Sequence, residues 1–269
     1  VLRGEADIVS GIGIEGWREL TEGDGAFAHE WDSGLAIIFM ANALEGPGRD
    51  RRVRQALNYA LDVDEIIAEI KDGAAKRLNG YLTPHHFGYN PETPVYPYDP
   101  DMARSLLADA GFPDGLRLVF DIPSAMPDEA PELARLMAEQ YARVGITLEI
   151  VEHQDRAAYS EMVREKRISD AACFDSSPRS TYRVLREKLH SGLQGPWWEG
   201  YDNPEVNALI EEAEATFSDP ERQTLYREIY SIVRDDAPWI FLYRPTRYWG
   251  VSSKLKDWKP RADGLLIFS

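Results

Sequence analysis

No stretch constrains the fold of this chain more than the one from Leu116 to Ile150. Leu116 to Ile122 is a β-rich run. Leu133, Leu136, Met137, Gln140 and Tyr141 follow at helical spacing, and Gly145 ends that helix. Ile146, Leu148 and Ile150 then alternate with Thr147 and Glu149, the period of a strand with one buried face. Strand, helix and strand within about forty residues predict a right-handed crossover between parallel neighbours. Ile37 to Met40, Ala171 to Phe174 and Trp239 to Tyr243 read as further buried strands. The fold class is therefore α/β, a mixed sheet flanked by helices.

Helix starts and stops are marked by their capping chemistry. Asp62 and Glu65 have the spacing of a capping box ahead of Ile66, Ile67 and Ile70, with Gly73 as the stop. Just before them, Val53, Ala56, Leu57, Ala60 and Leu61 share one helical face. Asp99-Pro100, Asn203-Pro204 and Asp219-Pro220 each set a proline in a first turn, where its missing N–H is no loss. Ser177-Pro178 is expected to open a helix running through Leu185 and Leu189 to Gly192. From Gly80 to Pro100, five prolines and four tyrosines exclude a regular element. A loop of that length is either functional or a strap packed over the surface.

Composition removes several function classes. Acidic residues number 46 against 30 basic ones, a net charge of −16, which repels nucleic-acid phosphates and anionic lipid. The longest apolar run, Leu35 to Leu44, is about half a membrane-spanning helix. One cysteine, Cys173, excludes an internal disulfide and a multi-thiolate zinc site, and its apolar surroundings read as those of a buried thiol. His85 and His86 adjoin in a loop, and His29, His153 and His190 lack a His-x-x-x-His partner. No metal site is expected. Acid pairs such as Asp128/Glu129 and Glu211/Glu212 read as solvated faces, and Ser176-Ser177 has no histidine near it in sequence. No catalytic residue is singled out.

Three features stand out as candidate sites. Gly11-Ile-Gly13-Ile-Glu-Gly16 follows a strand-like Ala6 to Ser10 and precedes Asp32, the pattern of a dinucleotide-binding turn. It is the basis of an alternative reading as a nucleotide-dependent oxidoreductase. Against that reading, Glu22-Gly23-Asp24-Gly25 interrupts the following helix, Trp17 to Thr21, and a plain glycine-rich turn is expected. Asp175 ends an apolar strand, where open α/β sheets meet ligands; its competing role is to cap the next helix. Trp197 and Trp198 sit in a loop, either plugging a core or stacking on a ligand.

Arg52-Val-Arg-Gln-Ala-Leu-Asn-Tyr-Ala-Leu-Asp62 resembles the segment by which extracytoplasmic solute-binding proteins of the peptide/nickel class of ABC importers, family 5, are known. Asp99 to Phe112 and Leu133 to Ile150, with Val144-Gly-Ile146 at its turn, resemble that family's next landmarks. Tyr201 to Tyr243, with Ala237-Pro238 before a final strand, resembles its closing pattern, and Gly4-Glu-Ala-Asp-Ile8 an earlier one. The resemblance implies a periplasmic-binding-protein type II-like lobe, from a protein whose two lobes close on a solute. It implies the C-terminal half of such a protein, in keeping with a chain that opens at Val1 in mid-pattern. Residues 1–36 are then a partial segment of the first lobe, 37–240 the second, ligand-binding lobe, and 241–269 a return segment to the first. Hinges are expected near Ala36 to Asn42 and Trp239 to Arg244.

The same resemblance implies no enzyme activity and no cofactor. It implies a periplasmic or extracytoplasmic monomer, free or lipid-anchored, whose partners are permease subunits and a small polar solute, in the first instance a peptide. Asp175 is expected to receive the solute's ammonium, with Phe174, Trp197 and Trp198 beside it. Two positions depart from the peptide-binding pattern. Ala171-Ala172 stands where those relatives carry a tryptophan, and Pro123 to Asp128 lacks the arginine that dipeptide binders hold for the ligand carboxylate. Arg179 and Arg183 are the candidates to replace that charge.

Overall fold

The computed structural model describes residues 1–260 except 24, 33, 126, 177–179 and 256. Among the described residues the chain opens with β1 (Ile8–Ile12), α1 (Ile14–Glu22), β2 (Ala26–Asp32), β3 (Ala36–Ala41), α2 (Arg51–Tyr59), α3 (Val63–Lys71) and β4 (Ala75–Arg77). It continues through α4 (Pro100–Asp109), β5 (Leu116–Pro123), α5 (Ala130–Ala142), β6 (Ile146–His153), α6 (Arg156–Arg164) and β7 (Ala171–Ser176). The last elements are α7 (Thr181–Val184), α8 (Pro204–Ala215), α9 (Asp219–Asp236) and β8 (Trp239–Ser252).

The sheet runs β1-β8-β3-β7-β5-β6, with β2 and β4 also paired to β8. β5 is parallel to β6 from Leu116 and Ile146 onward and parallel to β7 at Phe120 and Ala171, so the crossover read from the sequence joins parallel neighbours. β3 is antiparallel to β7 and β8, which makes the sheet mixed. Alternation along the strands builds two cores. Ile37, Phe39, Leu118, Phe120 and Ile240 pack beneath α2 to α5, while Ile38, Met40, Phe174 and Phe241 pack beneath α6 to α9. The alternation expected of β6 fades along its length: Ile146 is buried but Ile150 is exposed, since β6 ends the sheet and has a neighbour on one side only.

β8 is longer than its apolar run suggests. Trp239 to Tyr243 pairs with β3, and Arg244-Pro245 pairs with β4. Thr246 to Ser252 pairs with β2, and Tyr248 to Val251 with β1 on the other side. Polar Thr246 and exposed Arg247 interrupt the hydrophobic signal but not the strand.

The caps work largely as their spacing predicts. Asp62 accepts from the Glu65 amide at 3.0 Å, but the reciprocal half of the box is taken by Gln140 of α5. Its amide oxygen accepts from the Asp62 amide at 2.7 Å and its nitrogen donates to Glu65 at 2.9 Å, tying α3 to α5. Arg54 is buried and donates to the carbonyls of Asp236, Gly48 and Arg49 at 2.8–3.1 Å, clamping α2 to the end of α9. The proline-rich loop is a strap. Tyr81 packs on Tyr230 with centroids 5.1 Å apart and Tyr96 stacks on Phe241 at 6.3 Å, both inside the second core. The Ser177-Pro178 helix start lies outside the described residues; helix is present from Thr181, and Leu185–Leu189 continue it as a π-turn that ends at His190.

Candidate functional site

A cleft of about 830 Å³ opens where the carboxyl ends of the three parallel strands meet β1 and the second half of β8. The segment after β5 contributes Pro127, Asp128 and Glu129; the β6–α6 junction contributes Arg156; β7 contributes Asp175. The facing wall is Gly11 to Ile14 and Thr246 to Tyr248, and the end of α3 adds Lys71 and Asp72. A concave site of this size at strand carboxyl ends is where open α/β folds hold small molecules.

Strand geometry explains why Asp175 faces the cleft. It sits opposite Ile37, which also lines the cleft, while its neighbour Phe174 turns into the second core. The Asp175 carboxylate lies 3.8 Å from an Arg156 guanidinium nitrogen, an ion pair longer than a hydrogen bond. That guanidinium sits 4.9 Å from the Phe174 ring centre and 5.5 Å from that of Tyr159, and it donates to Ser160 Oγ. Behind the wall, Lys188 is 2% exposed, its Nζ 5.7 Å from the Phe174 ring and 5.6 Å from the Trp239 ring. Burial pulls its ammonium down to about 8, with Asp175 and then Glu187 opposing. Further along the cleft, Glu129 pairs with Lys71 at 2.6 Å and accepts from Tyr243 Oη at 3.1 Å. Cys173 is fully buried, and burial followed by Glu129 and Asp175 pushes its thiol up. It is a core thiol rather than a nucleophile. Among the described residues no cluster of three metal-ligating side chains occurs.

Of the described residues expected at the site, the structure brings Asp175 alone to the cleft. Phe174 and Trp197 form part of the packing on the other face of the sheet, and Trp198 is buried away from the cleft lining. Trp197 lies 4.8 Å from Phe174 and carries Arg164 over its ring, while buried Trp198 donates from Nε1 to Tyr201 O. Of their two readings, the geometry matches the core plug. Arg183 is exposed and pairs with Glu187 of its own helix at 2.8 Å, away from the cleft. Arg179 lies outside the described residues. The cation beside Asp175 is Arg156, which the sequence reading missed. The signal was available, because Asp155-Arg156 follows strand β6 as directly as Asp175 ends β7.

The glycine motif also lines the cleft, in a role other than the one its pattern suggests. Gly11 is the extra residue of a bulge in β1, at φ +69°, which lets Ser10 and Ile12 keep their pairing with β8. Gly13 precedes α1, a nine-residue helix that is longer than the interrupted run expected there. β1 pairs antiparallel with β8 instead of opening a parallel sheet, so the oxidoreductase alternative lacks its structural context.

Residues 1–178 match the family model of the bacterial extracellular solute-binding proteins, family 5. Over 234 residues the chain is 30% identical to heme-binding protein A of Haemophilus influenzae, covering 84% of this chain and 42% of that one. It is 28% identical to the glutathione-binding protein GsiB of Pectobacterium atrosepticum, covering 98% of this chain and 53% of the relative. The fold superimposes with a TM-score of 0.80, at 23% identity, on the periplasmic binding protein DppA of Helicobacter pylori in complex with the peptide STSA, over 94% of this chain and 50% of that one. The chain thus spans about half the length of the curated relatives it matches.

Proposed function

The chain belongs to family 5 of the bacterial extracellular solute-binding proteins, and from that premise we propose that it is the solute-capturing part of an ABC importer. It acts outside the cytoplasm as a monomer, holds a small polar solute between two lobes and delivers it to permease subunits. The observation that carries this reading is the charged cleft at the carboxyl ends of β5, β6 and β7. The change of partners along β8 supports the two-lobe division, with 1–36 in the first lobe and 37–240 in the second. In our reading the second lobe extends to Pro245 and the return segment starts at about Thr246 rather than 241, because pairing passes there from β3 and β4 to β2. Closure of the lobes is then a population shift driven by contacts that only the closed form makes.

The relatives' names speak of heme and glutathione, and one solved neighbour holds a peptide. A peptide or peptide-like solute is the reading we favour, with the wall that carries Asp175 meeting one of its polar ends. The test is to purify the intact protein natively, denature it and weigh the released small molecules by mass spectrometry. A series of peptide masses is expected; release of a dinucleotide would overturn the reading. With the solute in hand, Asp175→Ala is expected to weaken binding at least tenfold, and a change under twofold would remove Asp175 from the site.

A further inference from the structure

We propose that the cleft wall around Asp175 receives the anionic end of the solute, with Arg156 as its specificity-determining residue. The inference rests on the solute-capture reading and reverses the polarity that resemblance implied for Asp175. Two cations flank Asp175 in this wall, while Glu129, farther along it beside Asp128, is paired with Lys71. The Arg156 guanidinium lines the cleft 3.8 Å from Asp175, and the Lys188 ammonium lies buried behind Phe174, the residue next to Asp175. Both cations also lie against the Phe174 ring, at 4.9 and 5.7 Å, and water screens buried Lys188 little. A ligand ammonium arriving here meets a carboxylate already engaged by two cations. A ligand carboxylate instead meets a planar fork of N–H donors, held in place by Asp175, by the Phe174 and Tyr159 rings and by Ser160 Oγ. Asp175 is thus a positioning residue for Arg156, and the solute class is one that carries a carboxylate or a comparable planar oxyanion.

Calorimetric titration of the intact protein with tri-alanine, N-acetyl-tri-alanine and tri-alanine amide separates the two polarities on the unmodified chain. The acetylated, purely anionic form is expected to bind within threefold of tri-alanine, and the cationic amide at least tenfold more weakly. Arg156→Gln is expected to erase that difference, while Arg156→Lys keeps the sign and loses part of the size. Strong binding of the amide with loss of the acetylated form would overturn the inference and leave solute capture standing. Binding of none of the three would overturn the peptide reading and this inference with it.

Discussion

Replacing Lys188 by methionine is expected to make the protein more stable at neutral pH. The side chain is 2% exposed in the second core, and burial lowers its ammonium from 10.5 to about 8 against the pull of Asp175. At about 1.4 kcal/mol per tenfold change in proton affinity, keeping the charge inside costs about 3 kcal/mol. The contacts with Phe174 and Trp239 return about 0.5–1 kcal/mol each, and methionine fills nearly the same volume. A net gain of about 1–2 kcal/mol follows at pH 7. Its pH dependence is the diagnostic part. The folded value lies below the unfolded one, so the cost is complete below pH 8. It shrinks as pH rises toward 10.5, because there the unfolded chain binds more protons than the folded one. Between pH 7 and 9.5 the advantage of Lys188→Met over wild type is expected to narrow by about 2 kcal/mol. Urea unfolding curves at the two pH values measure both numbers. A variant less stable than wild type at pH 7, or an advantage that does not change with pH, would refute the reasoning. If the charge is retained to oppose Asp175, the stabilised variant should also lose affinity for N-acetyl-tri-alanine.

Two further outcomes are expected from buried polar groups. Arg54→Ala leaves the carbonyls of Asp236, Gly48 and Arg49 without their donor, at about 1 kcal/mol or more each; urea unfolding should show a loss of about 3 kcal/mol, and Arg54→Lys should restore only part of it. Among the described residues neither carboxylate oxygen of buried Glu199 has a hydrogen-bond partner; burial raises it to about 8 while Lys166, 3.9 Å away, pulls it down. Because the folded value lies above the unfolded one, wild type should lose stability as pH climbs from about 4.5 to 8, and Glu199→Gln should flatten that slope in the same unfolding assay.

Local chemistry was the legible part of this sequence. Asp62, Asp99 and Asn203 cap helices with their own side chains, so a few adjacent residues contain the whole signal. The parallel strand pair was legible because Leu116 to Ile150 holds both strands and their helix. The second half of β8 was not, since its pairing depends on β1 and β2, more than two hundred residues away in sequence. β2 itself mixes His29 and Glu30 with its apolar residues and carries no clear strand signal. The strand-end rule found Asp175 and, applied to β6, would have found Arg156. Trp197 and Trp198 could not be divided between core and cleft, because which face of the sheet a loop returns to is a tertiary fact. Lys188 carried a readable hint: the spacing that turns Leu185 and Leu189 inward includes it, and all three are buried.

The continuity of β8 has an evolutionary consequence. Tyr248 points toward the cleft and meets Trp17, whereas Trp249 points away and meets Trp31 and Trp258. Their parity is set by the run from Tyr243 onward, after the register of β8 against β3 shifts at Leu242. Losing or gaining one residue between Tyr243 and Thr246 would leave the β3 ladder intact but swap the two faces downstream, turning an indole into the solute's space and a phenol out of it. Descendants of this chain can therefore change the composition of that crossing far more freely than its length, and length changes there should survive only in pairs.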